Sequence, residues 1–336
     1  MSVEEMSRKT SLRAAAPRRR RLRIGEYGWI WIGTIFLFVA SAAIAPGSVT
    51  PGALRAMLPF AGILAIVAVG QTLVIQQRGL DMSAVGAIAL AGILVSTWGF
   101  EGRPLWIAIP ATLAVGTLVG AVNGLLVTRV NITPIVTTLA TNALIIGAVR
   151  EISKGAPLTT PTLLRDFGTA RFFGLPYLIL VAVIFIAIVA VLTRYAAVGR
   201  RFVAVGVSPR AAEAAGIVAE RYQVGAYAFA GFSFAIAGML LAGFIGNAAQ
   251  NAGIDYLLPG VAALVVGGTP FTGGRGSVVA SGVAALFITQ LGQLVLSMGA
   301  SPAVQLFIQA LAIVVATGIR ALPHMIRARP PATRGA

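Results

Sequence analysis

Apolar runs long enough to cross a bilayer alternate with short polar interruptions along most of this chain. The runs fall at about 28–45, 58–77, 82–98, 104–127, 131–147, 176–193, 224–246, 257–271, 277–296 and 303–320. A hydrocarbon core of about 30 Å needs roughly 20 helical residues. The pattern therefore predicts an all-α polytopic membrane protein of about ten transmembrane helices. Three regions follow: a basic arm over 1–27, a transmembrane domain over 28–320 that contains one polar block at 194–222, and a tail over 321–336. The first run is long for a signal-peptide core and is followed by Pro46-Gly47, so it reads as a retained helix. Residues 150–175 mix charges, threonines, prolines and glycines and read as a loop with room for a short surface helix. Around the eighth run, Pro259 and the glycines from Gly267 to Gly276 mark a short or broken helix.

Gly70 to Gly92 departs from simple hydrophobic span. It sets Arg78 and Asp81 between two apolar runs. An ionisable group at the bilayer centre costs roughly 2.5 to 3.5 kcal/mol on insertion scales, so it belongs at an interface, inside the protein or on a water-lined route. Gly79, Gly86 and Gly92 suit a broken helix or a close crossing. A tight turn between two ordinary spans is the plainer alternative. Arg78 lies three residues before Asp81, so it either pairs with that carboxylate or snorkels to the interface.

Composition agrees with the span pattern and narrows the function. Hydrophobic residues make up 57% of the chain and charged ones 11%, which leaves no separate soluble catalytic domain. The absence of cysteine removes disulfides and thiolate metal sites, and the single histidine, His324, lies in the basic C-terminal region without a metal-ligand cluster. A membrane enzyme lacks its parts, and no metal or other cofactor is expected on this chain. The net charge of +16 suggests nucleic acid until its distribution is examined: eight basic residues lie in the first 23, directly before an apolar span. That is the pattern of an arm at an anionic lipid surface, not of a nucleic-acid site. Under the ten-span count, 20 of the 26 basic residues fall on the side of the termini and six on the other, which puts both termini and the 194–222 block in the cytoplasm.

Inside that block a short helix is spelled out. Ser208 suits an N-cap, Pro209 the first helical position, and Arg210 to Ala215 are mostly helix formers, with Ala212 and Glu213 among them. Gly216 is a natural stop. About two turns are too short to stand alone, so the membrane domain or a partner must hold them.

With these pieces in place, the chain resembles the permease subunits of bacterial ATP-driven (ABC) importers for monosaccharides of the ribose, xylose and galactose type. Gly70-Gln71-Thr72 through Gly79-Leu80-Asp81-Met82-Ser83 to Gly86 is similar to that family's G-Q-T-x-V-I-x-x-G-G-I-D-L-S-V-G. Asn123-Gly124 and Pro134 to Thr141, Glu213 to Ile217, and Gly267-Gly268-Thr269 with Gly273 to Ser277 resemble three further motifs in the same order. Arg78, Met82, Ala84-Val85 and Ile135 depart from the family pattern. The resemblance implies a translocation pathway around Gln71, Thr72, Arg78, Gly79, Asp81, Ser83, Gly86, Asn123, Thr137 and Thr138. It also implies contact with an ATPase through Ser208, Pro209, Arg210, Ala212, Glu213 and Gly216. The implied partners are a cytoplasmic ATP-binding cassette ATPase that carries the ATP and magnesium, a periplasmic substrate-binding protein, a second permease copy and the lipid of the inner membrane. No G-x-x-x-x-G-K-[ST] phosphate loop is present in this chain.

Two alternatives remain at this level. One is a permease of the same class for nucleosides or branched-chain amino acids. The other is an ion-coupled transporter using Asp81 and Asp255. Trp98 and Trp106 fit interfacial anchors better than a sugar-stacking surface. Finally, Gly79-Leu80-Asp81, Gly86, Ala89 and Leu90 recur as Gly253-Ile254-Asp255, Gly260, Ala263 and Leu264 at an offset of 174. The two copies would be traversed in opposite directions, which predicts a 5+5 inverted repeat with Gly86 matched to Gly260.

Overall fold

The computed structural model describes residues 27–327, so the basic arm over 1–26, the tail after Arg327 and the side chain of His324 lie outside the described residues. Ten apolar helices occur in the predicted order. Six are long and apolar enough to cross a membrane, and four are shorter. They are α1 (Trp29–Ile44), α2 (Pro51–Gln76), α3 (Ala84–Phe100), α4 (Leu105–Thr128), α5 (Pro134–Ser153), α7 (Tyr177–Tyr195), α10 (Ala219–Ile245), α11 (Ile254–Gly267), α12 (Val278–Ser297) and α13 (Pro302–Arg327). Between α5 and α7, a helix α6 (Thr162–Thr169) and three two-residue strands form the surface segment expected there. Between α7 and α10 the polar block folds as α8 (Ala197–Val207) and α9 (Pro209–Ala214).

α2 and α10 cross at the centre. The apolar window of α2 is 89% buried while those of α4, α5 and α7 are only 22% buried, so α2 is a protein-interior helix and the others turn a wide apolar face outward. Between helices in an apolar solvent, close van der Waals packing supplies the attraction, and small residues permit it. α4 and α10 use Gly116 and Gly231 for this: a Cβ on Gly231 would lie 2.1 Å from the Gly116 carbonyl oxygen.

The packing has a permutation symmetry. α4 packs on α10 as α12 packs on α2; α3 on α10 as α11 on α2; α3 on α4 as α11 on α12; α3 on α5 as α11 on α13. α2 with α10 and α3 with α11 are the self-paired contacts. The paired helices start between 168 and 173 positions apart, as in Pro51 and Ala219 or Leu105 and Val278, so helix starts alone assign no residue-by-residue register and do not decide the match of Gly86 with Gly260. Asp81 precedes α3 in a non-helical turn, whereas Asp255 sits in the first turn of α11.

Candidate translocation and coupling site

α2 and α3 are separated by a non-helical break over 77–83, and α10 and α11 by one over 246–253. A break at membrane depth must find partners for its backbone groups within the protein. In the first break, Gln71 Nε2 donates to the Asp81 carbonyl (2.6 Å), and Met82 N–H donates to Thr138 Oγ1 (3.0 Å). Asp81 Oδ1 accepts from both the N–H (2.9 Å) and the hydroxyl (2.6 Å) of Ser83. In the second break, Ala248 pairs as a strand with Leu158, and Thr160 N–H donates to the Gly246 carbonyl (3.1 Å).

The polar side chains predicted for the pathway gather around the first break. Asn123 Nδ2 donates to Ser83 Oγ (3.0 Å), Thr141 Oγ1 donates to Asn123 Oδ1 (2.6 Å), and Thr72 Oγ1 is 2.8 Å from Ser281 Oγ. Gly86 N–H donates to Asn142 Oδ1 (2.8 Å). Gln71, Thr72, Asp81, Ser83, Asn123, Thr137 and Thr138 are all buried. The result is a packed polar network that ties the break to α4 and α5, and these seven side chains line none of the larger cavities found among the described residues. Arg78 and Gly79 do line a smaller one, of about 240 Å³.

Pairing of Arg78 with Asp81 is not what forms. Arg78 takes a left-handed backbone (φ 64°), which turns its side chain away from Asp81 and toward the end of α8. Its Nε donates to the Gly206 carbonyl (3.2 Å) and its Nη2 to that of Val207 (2.6 Å). Gln77 Nε2 donates to the Phe202 carbonyl (2.8 Å), and Gly274 N–H to the Gln76 carbonyl (2.9 Å). Three segments distant in sequence thus meet at one junction. It is close-packed: a Cβ on Gly206 would lie 2.5 Å from the Gln76 carbonyl oxygen.

Immediately after this junction comes α9. Ser208 Oγ accepts from Ala211 N–H (3.3 Å), Pro209 occupies the first helical position, and Gly216 (φ 77°) ends the segment as the sequence predicts. Ala212 is buried against Val205 and Ala219, while Arg210, Glu213 and Gly216 are exposed. The helix is held on its own protein by one small apolar contact and shows its remaining face outward.

At the end of the molecule remote from α9, the second break borders a cavity of about 530 Å³. Its wall includes Phe60 of α2, Asn247 and Asn251 of the break, Asp255 of α11, and Gln305 and Gln309 of α13. Of these residues the sequence pointed only to Asp255, as a repeat partner and as a candidate ion-binding acid of the alternative ion-coupled transporter. A signal was present in part: Gln305 and Gln309 are spaced by four on α13, which keeps both amides on one side of that helix, whereas Asn247 and Asn251 lie in the non-helical break, where such spacing has no meaning. Gly253 lies at the second break where α11 meets α3, a Cβ there falling 2.2 Å from the Val85 carbonyl oxygen, and Gly260 packs toward Val67.

Ten apolar helices, two breaks braced by internal hydrogen bonds and a short externally presented helix define a multi-pass membrane transport protein. The family model described as "Branched-chain amino acid transport system / permease component" matches residues 54–317, and the chain belongs to that permease family. It is 30% identical over 291 residues to the ribose import permease protein of Haemophilus influenzae, covering 85% of this chain and 90% of that protein. The ribose import permease of Bacillus subtilis is 31% identical over 289 residues, with the same coverage of 85% and 90%. The galactose/methyl galactoside import permease of Haemophilus influenzae is 30% identical over 279 residues, covering 77% and 83%. No solved structure matches.

Proposed function

We propose that this chain is the translocating subunit of an ATP-driven importer that moves a monosaccharide across a bacterial inner membrane, with both termini in the cytoplasm. The relatives named for ribose and galactose import support the substrate class. The observation that carries the mechanism is α9, an exposed capped helix anchored by Ala212 alone and joined through Ser208 to the residues that Arg78 holds. A separate ATPase subunit binds ATP and magnesium and docks on Arg210, Glu213 and their neighbours. Closure of two such ATPases displaces α9, and the junction at Arg78 passes the displacement to the break between α2 and α3. A periplasmic binding protein delivers the sugar at the opposite end, and a second permease copy completes the route. The apolar faces left open on α5, α7 and α13 are available to that copy and to lipid.

The test is reconstitution of the permease with its ATPase and binding protein in proteoliposomes. Ala212→Arg removes the anchor by burying an unpaired charge, so uptake should fall while hydrolysis of ATP becomes independent of the loaded binding protein. Tight linkage of hydrolysis to uptake in that variant would count against α9 as the coupling element.

A further inference from the structure

We infer that the 530 Å³ cavity at the end remote from α9 is a holding site for a neutral polyhydroxylated solute, and that its wall disfavours solutes of net negative charge and solutes with an apolar side chain, such as leucine. The inference rests on the transport reading above and deepens it by naming the station and its selectivity.

Its size falls within the range of small-molecule sites, about 300–1,000 Å³. The floor is apolar, made by Leu64, Leu241 and Ile288, so a solute that enters meets the bundle core and stops there. Above the floor stand the amides of Asn247, Asn251, Gln305 and Gln309 and the carboxylate of Asp255, and among the described residues none of these side chains hydrogen-bonds to another protein group. Gln309 is only 7% exposed. These groups are therefore open to a solute that enters the cavity.

The chemistry of the wall selects the solute. Each amide offers two donors and an acceptor, and a carboxylate accepts only, so together they suit groups that donate and accept at once, as hydroxyls do. Phe60 adds an apolar ring face beside them, fixed by an edge contact with Phe244 (centroids 5.2 Å apart, planes at 87°). That is the mixture of an apolar surface with a few placed polar groups expected of a small-molecule site. Charge and hydrogen-bonding capacity together narrow the class. Asp255 is the charged residue of the wall, and no lysine, arginine or histidine joins it there. A solute of net negative charge would share the cavity with Asp255 and meet no cation, a repulsive arrangement, whereas the ammonium of an amino acid can pair with Asp255 and it is the apolar side chain of leucine that leaves the amides without partners.

The experiment uses proteoliposomes containing the permease, its ATPase and its binding protein, with radiolabelled D-ribose, D-galactose, D-fructose and L-leucine as probes. At least one sugar should enter and leucine should not. Asn251→Leu and Gln305→Leu should each lower sugar uptake by about tenfold with hydrolysis of ATP within about twofold of the unmodified complex, the mark of a lost solute contact and not of misfolding. A second arm exploits the absence of cysteine in the chain. Uptake by Ala252→Cys, in the wall, should fall when a membrane-impermeant methanethiosulfonate reagent is added, relative to the same variant before the reagent, whereas uptake by Leu258→Cys, on the exposed side of α11, should be insensitive. Sugar uptake that survives both leucine variants and labelled Ala252→Cys overturns the cavity assignment and leaves the sugar reading standing. Entry of leucine and of no sugar overturns the selectivity and the sugar reading together, and the labelled cysteine still reports whether the route passes this cavity. A complex that moves none of the four probes overturns both.

Discussion

Arg78 donates from Nη2 to the carbonyl of Val207 across 2.6 Å, linking the break before α3 to the residue that precedes the N-cap of α9. A left-handed backbone at a non-glycine residue costs of order 1–3 kcal/mol, and Arg78 adopts one. The strain is offset by two charge-assisted bonds, to Gly206 and Val207, of the kind worth roughly 1.5–3 kcal/mol. Arg78→Gly removes the strain and the bonds together. The expected outcome is near-normal thermal stability with a several-fold rise in ATP hydrolysed per sugar transported. Arg78→Lys keeps the charge but has no second donor held in a planar fork, so it should recover coupling only in part. A ratio of hydrolysis to uptake unchanged in Arg78→Gly would show that the junction is structural only.

The network at Asn123 supports a second prediction, about stability. Asn123 donates to Ser83 and accepts from Thr141, joining the break to α4 and α5 at a position with no exposure. Asn123→Leu leaves the half-buried Thr141 hydroxyl without its acceptor, while Ser83 keeps its bond to Asp81, and an orphaned polar group away from water costs roughly 1–3 kcal/mol. Thermal unfolding in detergent should show a lowered midpoint. Asn123→Ser, which retains a donor and an acceptor, should fall between the two.

Gly231 and Gly225 lie on the same helix and should respond with opposite sign to one added methyl. At Gly231 the new Cβ would sit 2.1 Å from the Gly116 carbonyl oxygen, so α4 and α10 must separate, and overpacking of this kind costs typically 1–3 kcal/mol. At Gly225 nothing lies within 4 Å, and alanine in a helix interior is favoured over glycine by roughly 0.5–1 kcal/mol. Gly231→Ala should lower the unfolding midpoint and Gly225→Ala leave it unchanged or raise it. Equal shifts would mean that the α4–α10 crossing is looser than described.

What was legible in the sequence is what local rules determine. Ser208, Pro209 and Gly216 act through neighbours one to three residues away, and the cap and stop form where the spelling puts them. The ten apolar runs are legible because lipid demands length and hydropathy from each helix separately. The partner of Arg78 was hidden because the carbonyls it binds lie 128 and 129 residues away and carry no side-chain signature. The large cavity was hidden for a related reason: Phe60, Asn251 and Gln305 belong to segments that meet only after the helices pack.

The permutation symmetry of the packing leads to a last prediction, about orientation. Helices α2 to α5 exchange with α10 to α13 without loss of any of their main packing pairs, and each set carries a break between its first and second helix. α2 runs toward the α9 end and reaches Arg78 there, whereas α10 starts beside α9 and runs away from it to reach the second break. The first helices of the two sets therefore run antiparallel, and the expected operation relating the sets is a rotation near 180° about an axis in the membrane plane, as in transport folds built from inverted repeats. Proteins of this kind hold a break near each face, so that each side of the membrane can be opened by an equivalent element. The cysteine-free chain makes this testable without a background of native thiols. Arg78→Cys and Asn251→Cys occupy exposed positions beside the first and second break. In inside-out vesicles a membrane-impermeant maleimide should label the cysteine at 78 and spare the one at 251, and in right-side-out vesicles the preference should reverse. Labelling of both from the same side, with the protein folded in both preparations, would reject the inverted arrangement and with it the assignment of α9 to the cytoplasm.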